Sequence, residues 1–164
     1  MSEISYIKGS VLEPIGSGDK MICHCCNDIG VMGAGVALAI AKKWPEVKAK
    51  YLYWANHWRE KENILGEFKL GAVQFVWPEK NIVIANMIGQ KDIRRGIDDR
   101  PPIRYSALRA CLGNVCMYTK CMHNPSIHLP RIGCGLAGGS WDKVERIIIE
   151  KLVDEGLPVT VYDL

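Results

Sequence analysis

Short apolar runs alternate with longer stretches of helical apolar spacing along the whole chain. The apolar runs predict strands at Ile4–Lys8, Met21–Cys26, Ala72–Trp77, Ile82–Ile88, Ser126–Pro130 and Pro158–Leu164. Helical spacing predicts helices at Val36–Trp44, Glu46–Arg59, Ile103–Lys120 and Trp141–Glu155. Strands that alternate with helices predict an α/β fold around a largely parallel sheet.

Two glycine-rich segments each follow a predicted strand and precede a predicted helix. Asp28–Gly35 reads DIGVMGAG, and Ile132–Gly139 reads IGCGLAGG. Glycine admits positive φ and lets backbone N–H groups approach phosphate oxygens, and a helix N-terminus adds a favourable dipole. One such segment can be a tight turn alone, but two on one sheet indicate a diphosphate held from both sides. Neither fits the P-loop or the dinucleotide fingerprint, because no Lys-Ser/Thr follows the glycines and Leu38 stands where the fingerprint has glycine or alanine.

Composition is that of an ordinary globular chain, and its 164 residues predict a single domain over 1–164. The charged fraction of 24% and the hydrophobic fraction of 48% argue against disorder, and a net charge of +3 is too small to imply a specific nucleic-acid partner. The N-terminus lacks the apolar core of a secretory signal, and no apolar run reaches the ~20 residues that span a bilayer. We therefore expect a cytoplasmic protein, or a nucleocytoplasmic one in a eukaryote, with no membrane partner.

Seven cysteines are present, an odd number, and most lie in apolar segments: Cys23, Cys25, Cys26, Cys111, Cys116, Cys121 and Cys134. This pattern favours buried, reduced thiols. Cys121 and His123, with the CHCC run at 23–26, supply zinc-ligand types, but no C-x₂-C pair recurs at zinc-finger spacing. No metal is therefore expected.

Four segments of the chain together resemble one known family. They are MSEISYIKGSVLEP, MICHCCNDIGVMGAGVALAIAKKWPEVKAKY, LPRIGCGLAGGSW and the ending VTVYDL. Their content and order resemble the macrodomains, in particular the stand-alone ADP-ribose 1″-phosphate phosphatases and the related branch that removes ADP-ribose from protein carboxylates. The resemblance covers essentially the whole chain. It implies a three-layer α/β/α fold with a mixed, largely parallel central sheet and an ADP-ribose cleft at the strand ends.

The resemblance also implies roles for individual residues. Gly9 and Ser10 stand where the family has a Gly-Asp pair that recognises adenine, so a backbone contact or a weaker serine hydrogen bond must replace the acid. Tyr162 stands where an aromatic ring packs on adenine, with core packing as the equal alternative. Asn27 stands where the family contacts the distal ribose. The residues that match the two phosphate loops are Gly33, Ala34 and Gly35, and Gly133, Cys134, Gly135, Leu136, Ala137 and Gly138.

The candidate catalytic residues are His24 and Asp28. The branch that acts on protein-linked ADP-ribose uses a lysine after a strand and an acid in the second loop, whereas Gln90 and Ala137 stand at those positions. Lys91 is displaced by one residue and would point to the opposite side of the extended chain. His24 matches a histidine of the phosphatase-like macrodomains. We expect it to face the cleft mouth with a pKa near 6.5, with a core histidine as the alternative. Asp28 would orient water at the distal ribose or cap the glycine turn.

These residues predict a macrodomain that binds ADP-ribose or a 1″-substituted ADP-ribose and removes the phosphate from ADP-ribose 1″-phosphate, with no cofactor. One alternative is a non-catalytic reader of ADP-ribose. Another is a hydrolase that releases ADP-ribose from modified proteins, which would then be partners, or from acetyl-ADP-ribose. The same pocket serves all three functions, so the sequence leaves them open.

Overall fold

A computed structural model describes residues 3–61, 64–135 and 137–164. The strands are β1 (Ile4–Lys8), β2 (Lys20–Asn27), β3 (Val73–Glu79), β4 (Ile82–Gln90), β5 (Ser126–Leu129) and β6 (Val159–Asp163). The helices are α1 (Gly35–Lys43), α2 (Pro45–His57), α3 (Tyr105–Tyr118) and α4 (Trp141–Ile148). A 3₁₀ turn at Thr119–Cys121 extends α3, and a π-helical turn at Ile149–Val153 extends α4. None of the helices in the described ranges combines the length and apolar character needed to cross a bilayer.

The strands form one sheet in the order β1-β6-β5-β2-β4-β3. Every neighbouring pair is parallel except β3 and β4, which are antiparallel. The carboxyl ends of the five mutually parallel strands therefore meet at one edge, where both glycine-rich segments leave the sheet. Ligands of open α/β sheets bind beyond this edge. The predicted mixed, largely parallel sheet is confirmed.

Helices cover both faces of the sheet and make the fold three-layered. Alternation along β2 sends Cys23 towards α3 and α4, where it packs with Leu108, and sends Ile22 towards α1 and α2, where it packs with Ile40. All of these side chains are fully buried. The same alternation places His24 on the side of α1 and α2.

Two helix boundaries show how sequence determines the layers. Pro45 ends α1 and occupies the first turn of α2, where its missing N–H costs no hydrogen bond. Tyr51 and Trp54 are buried on α2. The predicted start of the third helix at Ile103 is wrong, because this residue forms an antiparallel bridge with Gln90 and α3 begins two residues later.

Candidate functional site

A cavity of about 580 Å³ lies at the carboxyl edge of the sheet, between the two glycine-rich segments. Predicted site residues that line it come from the end of β2 and from both segments: His24, Asn27, Gly33, Ala34, Gly35, Gly133, Gly135 and Ala137. Gln90, at the end of β4, also lines it. The structure thus brings the two segments to one cavity, although they lie about a hundred residues apart in the chain.

The first glycine-rich segment is organised by the side chain of Asn27. Its Oδ1 accepts hydrogen bonds from the N–H groups of Ile29 (3.2 Å) and Val31 (3.1 Å). The hydroxyl of Tyr51 donates to the Asn27 backbone carbonyl at 2.7 Å and lies 3.0 Å from Oδ1. Its Nδ2 donates to the Val31 carbonyl at 2.6 Å. Asn27 is only 5% exposed, so these bonds determine the path of the chain towards Gly33. The ribose contact implied for Asn27 stays a prediction.

The second glycine-rich segment is held by the strand-like residues that precede α3. The N–H of Ile103 donates to the Ala137 carbonyl at 3.1 Å, and the N–H of Gly139 donates to the Gly133 carbonyl at 2.7 Å. Gly133 has φ of +72°, and a Cβ there would lie 2.7 Å from Ile103 Cδ1, so this position requires glycine. Gly135 differs, because its Cβ position has open space around it.

Not every residue predicted for the second loop lines the cavity. Cys134 is half-buried, and its thiol donates to the Ile132 carbonyl at 3.3 Å. Gly138 packs against Pro101, where a Cβ would lie 2.9 Å from the proline Cβ. Both residues therefore contribute to packing of the loop outside the cavity. Leu136 lies outside the described residues.

His24 is a buried residue with fixed hydrogen bonds. It lines the cavity but is only 2% exposed, and its Nε2 lies 2.6 Å from Asn86 Oδ1 on β4. Because Asn86 Nδ2 donates to Gln74, its Oδ1 must accept from His24, which places the imidazole proton on Nε2. His24 therefore faces the cleft, as expected, but from the buried floor of the cavity wall. The expected pKa near 6.5 is wrong: burial lowers the pKa of His24 to about 4, although the Asn86 hydrogen bond opposes the shift.

Asp28 joins the end of β2 to the loop that follows β4. Its Oδ1 accepts a hydrogen bond from the N–H of Asp92 at 2.8 Å, and Lys91 Nζ lies 3.9 Å from Oδ2. Asp28 therefore does not cap the glycine turn, since Asn27 does so. Lys91 is 61% exposed and pairs with Asp28, whereas Gln90 lines the cavity, as the strand alternation predicts.

The cavity wall carries little charge. Among the lining residues in the described part of the chain there is no lysine or carboxylate, and Arg131 is the one cationic side chain. Burial raises the pKa values of the lining thiols Cys25 and Cys26, so both are neutral at pH 7. An anionic ligand would be held chiefly by backbone N–H groups. Nor do the described residues bring three His, Cys, Asp or Glu side chains into one potential metal site.

A smaller cavity of about 270 Å³ adjoins the first, and the two share Val36, Pro130 and Arg131 as lining residues. The three residues predicted for the adenine end all line it: Gly9, Ser10 and Tyr162. Ser10 Oγ accepts a hydrogen bond from the N–H of Leu12 at 3.2 Å. The two cavities together form one cleft along the carboxyl edge of the sheet.

Sequence reasoning missed a buried hydrogen-bond chain beneath the smaller cavity. The Tyr162 hydroxyl accepts from the N–H of Ile15 at 3.0 Å and donates to His128 Nδ1 at 2.7 Å, and His128 Nε2 donates to Ser126 Oγ at 2.7 Å. Burial lowers the pKa of His128 to about 4. Tyr162 is only 4% exposed, so this chain fixes its ring in the cavity wall. Ser126, two residues before His128 on β5, was the available signal, whereas Tyr162 lies on β6 and no sequence pattern pairs it with His128.

Arg131 is a second residue that the sequence reasoning did not single out. It stands directly before the second glycine-rich segment, in LPRIGCG, and this position beside a candidate phosphate loop was the available signal. Its guanidinium donates to both carboxylate oxygens of Asp163, at 2.7 and 3.0 Å. Arg131 is therefore the charged side chain at the junction of the two cavities.

Solved structures similar to this chain include a protein of unknown function and a macrodomain. A protein of unknown function from Bacteroides thetaiotaomicron is 50% identical, with a TM-score of 0.92 and 99% of each chain covered. A macrodomain protein from Streptomyces coelicolor is 42% identical, with a TM-score of 0.84 and 99% of each chain covered.

Two curated relatives of similar length have names that refer to ADP-ribose. The ADP-ribose glycohydrolase OARD1 of Bos taurus is 28% identical over 163 residues, which cover 99% of this chain and 93% of the relative. The ADP-ribose 1″-phosphate phosphatase of Candida albicans is 28% identical over 162 residues, which cover 90% of this chain and 92% of the relative. The family model of the Macro domain matches residues 23–148, more than half of the chain. With its three-layer fold and its two glycine-rich loops over one cleft, the chain belongs to the macrodomain family.

Proposed function

We propose that this protein binds ADP-ribose and hydrolyses a substituent at the 1″ position of the distal ribose, with ADP-ribose 1″-phosphate as the leading substrate. The observation that carries the proposal is the meeting of two glycine-rich loops at one cavity of about 580 Å³. That volume lies within the usual range for small-molecule sites, about 300–1,000 Å³. The curated relatives named above support an ADP-ribose derivative as the ligand.

The shape of the cleft suggests how the ligand lies in it. Backbone N–H groups of the two loops would bind the diphosphate, helped by the N-terminus of α1, which begins at Gly35. The smaller cavity would hold the adenine against the fixed ring of Tyr162. This arrangement leaves the distal ribose near Asn27 and Gln90, at the other end of the larger cavity.

Hydrolysis at the distal ribose requires water to be positioned and charge to be stabilised. Backbone N–H groups of the lining glycines would stabilise developing negative charge. Asp28 is the stronger of the two predicted catalytic candidates. Its carboxylate does not line the cavity, but it is about 20% exposed and fixes the loop after β4, which lines the cavity through Ile93. His24, with a pKa of about 4, is a weak base near pH 7. Its role would be to keep the end of β2 rigid.

A second function is favoured by one specific observation. The lining residues in the described ranges supply neither a lysine nor a carboxylate to the cavity, and the histidine among them is buried. Such a wall suits a protein that binds ADP-ribose without changing it. The alternative function is therefore a reader of free or protein-linked ADP-ribose.

Phosphate release from ADP-ribose 1″-phosphate, followed beside ADP-ribose release from a protein modified on carboxylates, tests the proposal. We expect turnover of the first substrate, and Asp28→Ala should reduce it by at least about tenfold while ADP-ribose affinity changes less. Asp154→Ala, at an exposed acid after the last helix, is the matched control and should match the parent. Tight ADP-ribose binding with no turnover of either substrate would contradict the hydrolase and support the reader.

A further inference from the structure

Gln90, the last residue of β4, is a polar side chain in the wall of the larger cavity. Alternation along β4 turns it to the same face of the sheet as Ile88, which packs with Cys26 and Tyr51 on the side of α1 and α2. His24 lies on this face as well and lines the same cavity. The alternation of the strand and the lining of the cavity therefore agree on where the Gln90 side chain lies.

Hydrogen bonds fix both the backbone and the side-chain amide of Gln90. Its backbone carbonyl accepts from the N–H of Asp28 at 3.2 Å, and it forms the antiparallel bridge with Ile103. Its Nε2 donates to the Asp92 carbonyl at 3.1 Å. Because a carbonyl oxygen can only accept, Nε2 rather than Oε1 must face Asp92. None of the described residues donates a hydrogen bond to Oε1, which is therefore an acceptor without a partner.

The other nitrogen- or oxygen-bearing side chains in the described part of the cavity wall already have hydrogen-bond partners. Asn27 uses Oδ1 for two backbone N–H groups and Nδ2 for a backbone carbonyl. Arg131 donates to both oxygens of a carboxylate at the end of β6. His24 donates through Nε2 to β4, and its ring is only 2% exposed. Gln90 is half-buried, so among these side chains it offers the acceptor that a ligand can reach.

We infer that Oε1 of Gln90 accepts a hydrogen bond from the 2″- or 3″-hydroxyl of the distal ribose and so contributes to a preference of the cleft for ADP-ribose over ADP. This inference rests on the proposed function, in which the distal ribose lies beside the end of β4. A hydroxyl can donate to an amide oxygen, and these two hydroxyls remain when the 1″ position carries a substituent. Asn27, for which the family resemblance implies a ribose contact, would instead hold the first glycine-rich segment.

Calorimetric titration of ADP-ribose and of ADP into the parent and into Gln90→Met tests the inference. Methionine keeps the length of the side chain without its amide, so ADP-ribose should bind about five- to tenfold more weakly, as expected for the loss of one neutral hydrogen bond. The affinity for ADP, which lacks the distal ribose, should change by less than about twofold. Asn56→Met removes an exposed amide that also donates to a backbone carbonyl, on α2, and should keep the parent ratio of affinities.

The outcomes separate this inference from the function on which it rests. A parent that binds ADP-ribose and ADP equally well overturns the role of Gln90 and leaves ADP-ribose binding intact. The same holds if folded Gln90→Met, verified by its melting temperature, keeps the parent ratio or weakens both ligands equally, or if folded Asn27→Ala loses the preference while Gln90→Met keeps it. Gln90→Leu provides the same comparison should Gln90→Met not fold. Failure of the parent to bind ADP-ribose at all would contradict the proposed function itself.

Discussion

Substituting Gly135 by glutamate places a negative charge at the proposed diphosphate site with little disturbance of the fold. No heavy atom lies within 4 Å of the Cβ position, and the backbone does not adopt a positive φ there. Gly135 also lines the larger cavity. The variant should therefore fold with a melting temperature close to that of the parent.

The loss of affinity can be worked out from Coulomb's law. Two like unit charges ~5 Å apart, at an effective dielectric constant of ~20, repel by about 3 kcal/mol. Because each 1.4 kcal/mol changes a dissociation constant about tenfold, Gly135→Glu should weaken ADP-ribose binding by at least about a hundredfold. High salt should recover only part of this loss, because salt screens charges inside a cavity between two loops less than it screens charges on the surface.

Calorimetric titration with ADP-ribose measures the affinity, and a thermal melt of each preparation measures the melting temperature. Gly135→Gln has nearly the same shape without the charge and should lose much less affinity. Gly113→Glu carries the same charge on α3, at another glycine with open space around its Cβ position, and should bind as the parent does. If Gly135→Glu keeps both the melting temperature and the affinity of the parent, the second loop does not bind the diphosphate.

Further predictions concern the residues around the cleft. As pH falls from 6.5 to 4, the unfolded chain takes up a proton at His24 that the folded chain does not. The His24 contribution to stability should therefore be complete above pH 6.5 and fall by about 3 kcal/mol over this range, which thermal melts at a series of pH values measure. His24→Asn should reduce that fall and leave the part due to His128, whose pKa is lowered in the same direction; an unchanged profile would contradict the buried, neutral state of His24. Asn27→Ala removes the acceptor for the N–H groups of Ile29 and Val31 and should cost about 2–3 kcal/mol in denaturant unfolding. Asn27→Asp keeps that acceptor but turns a buried carboxylate oxygen towards the Val31 carbonyl, to which Asn27 Nδ2 donates at 2.6 Å, so its loss should be no smaller. A loss below about 1 kcal/mol for Asn27→Ala would show that the acceptor is not what stabilises the loop.

Local patterns were sufficient to predict the fold and the location of the cleft. The six strands and four helices follow from apolar spacing, and Pro45 and the glycine-rich segments mark where elements end. The carboxyl edge then follows from the parallel arrangement, which brings Gly33 and Gly135 to one cavity.

Side-chain environments could not be predicted in the same way. A period of two places His24 on one face of β2, but its pKa depends on Asn86, which lies opposite it on β4, and on complete burial. The pairing of Arg131 with Asp163 likewise joins two residues 32 positions apart. Such contacts arise from the register of non-adjacent segments, for which one sequence contains no direct pattern.

Titration of ADP-ribose into the parent protein in the presence of EDTA tests the central proposal most directly. Two loops of backbone donors and an adjoining cavity for the base predict one site per chain, with a dissociation constant in the low-micromolar range or tighter, equivalent to about −8 kcal/mol. Metal removal should leave this affinity unchanged, since the binding groups identified are backbone N–H groups and side chains of the protein. Absence of binding heat at protein concentrations of ~100 μM would contradict ADP-ribose as the ligand of the cleft.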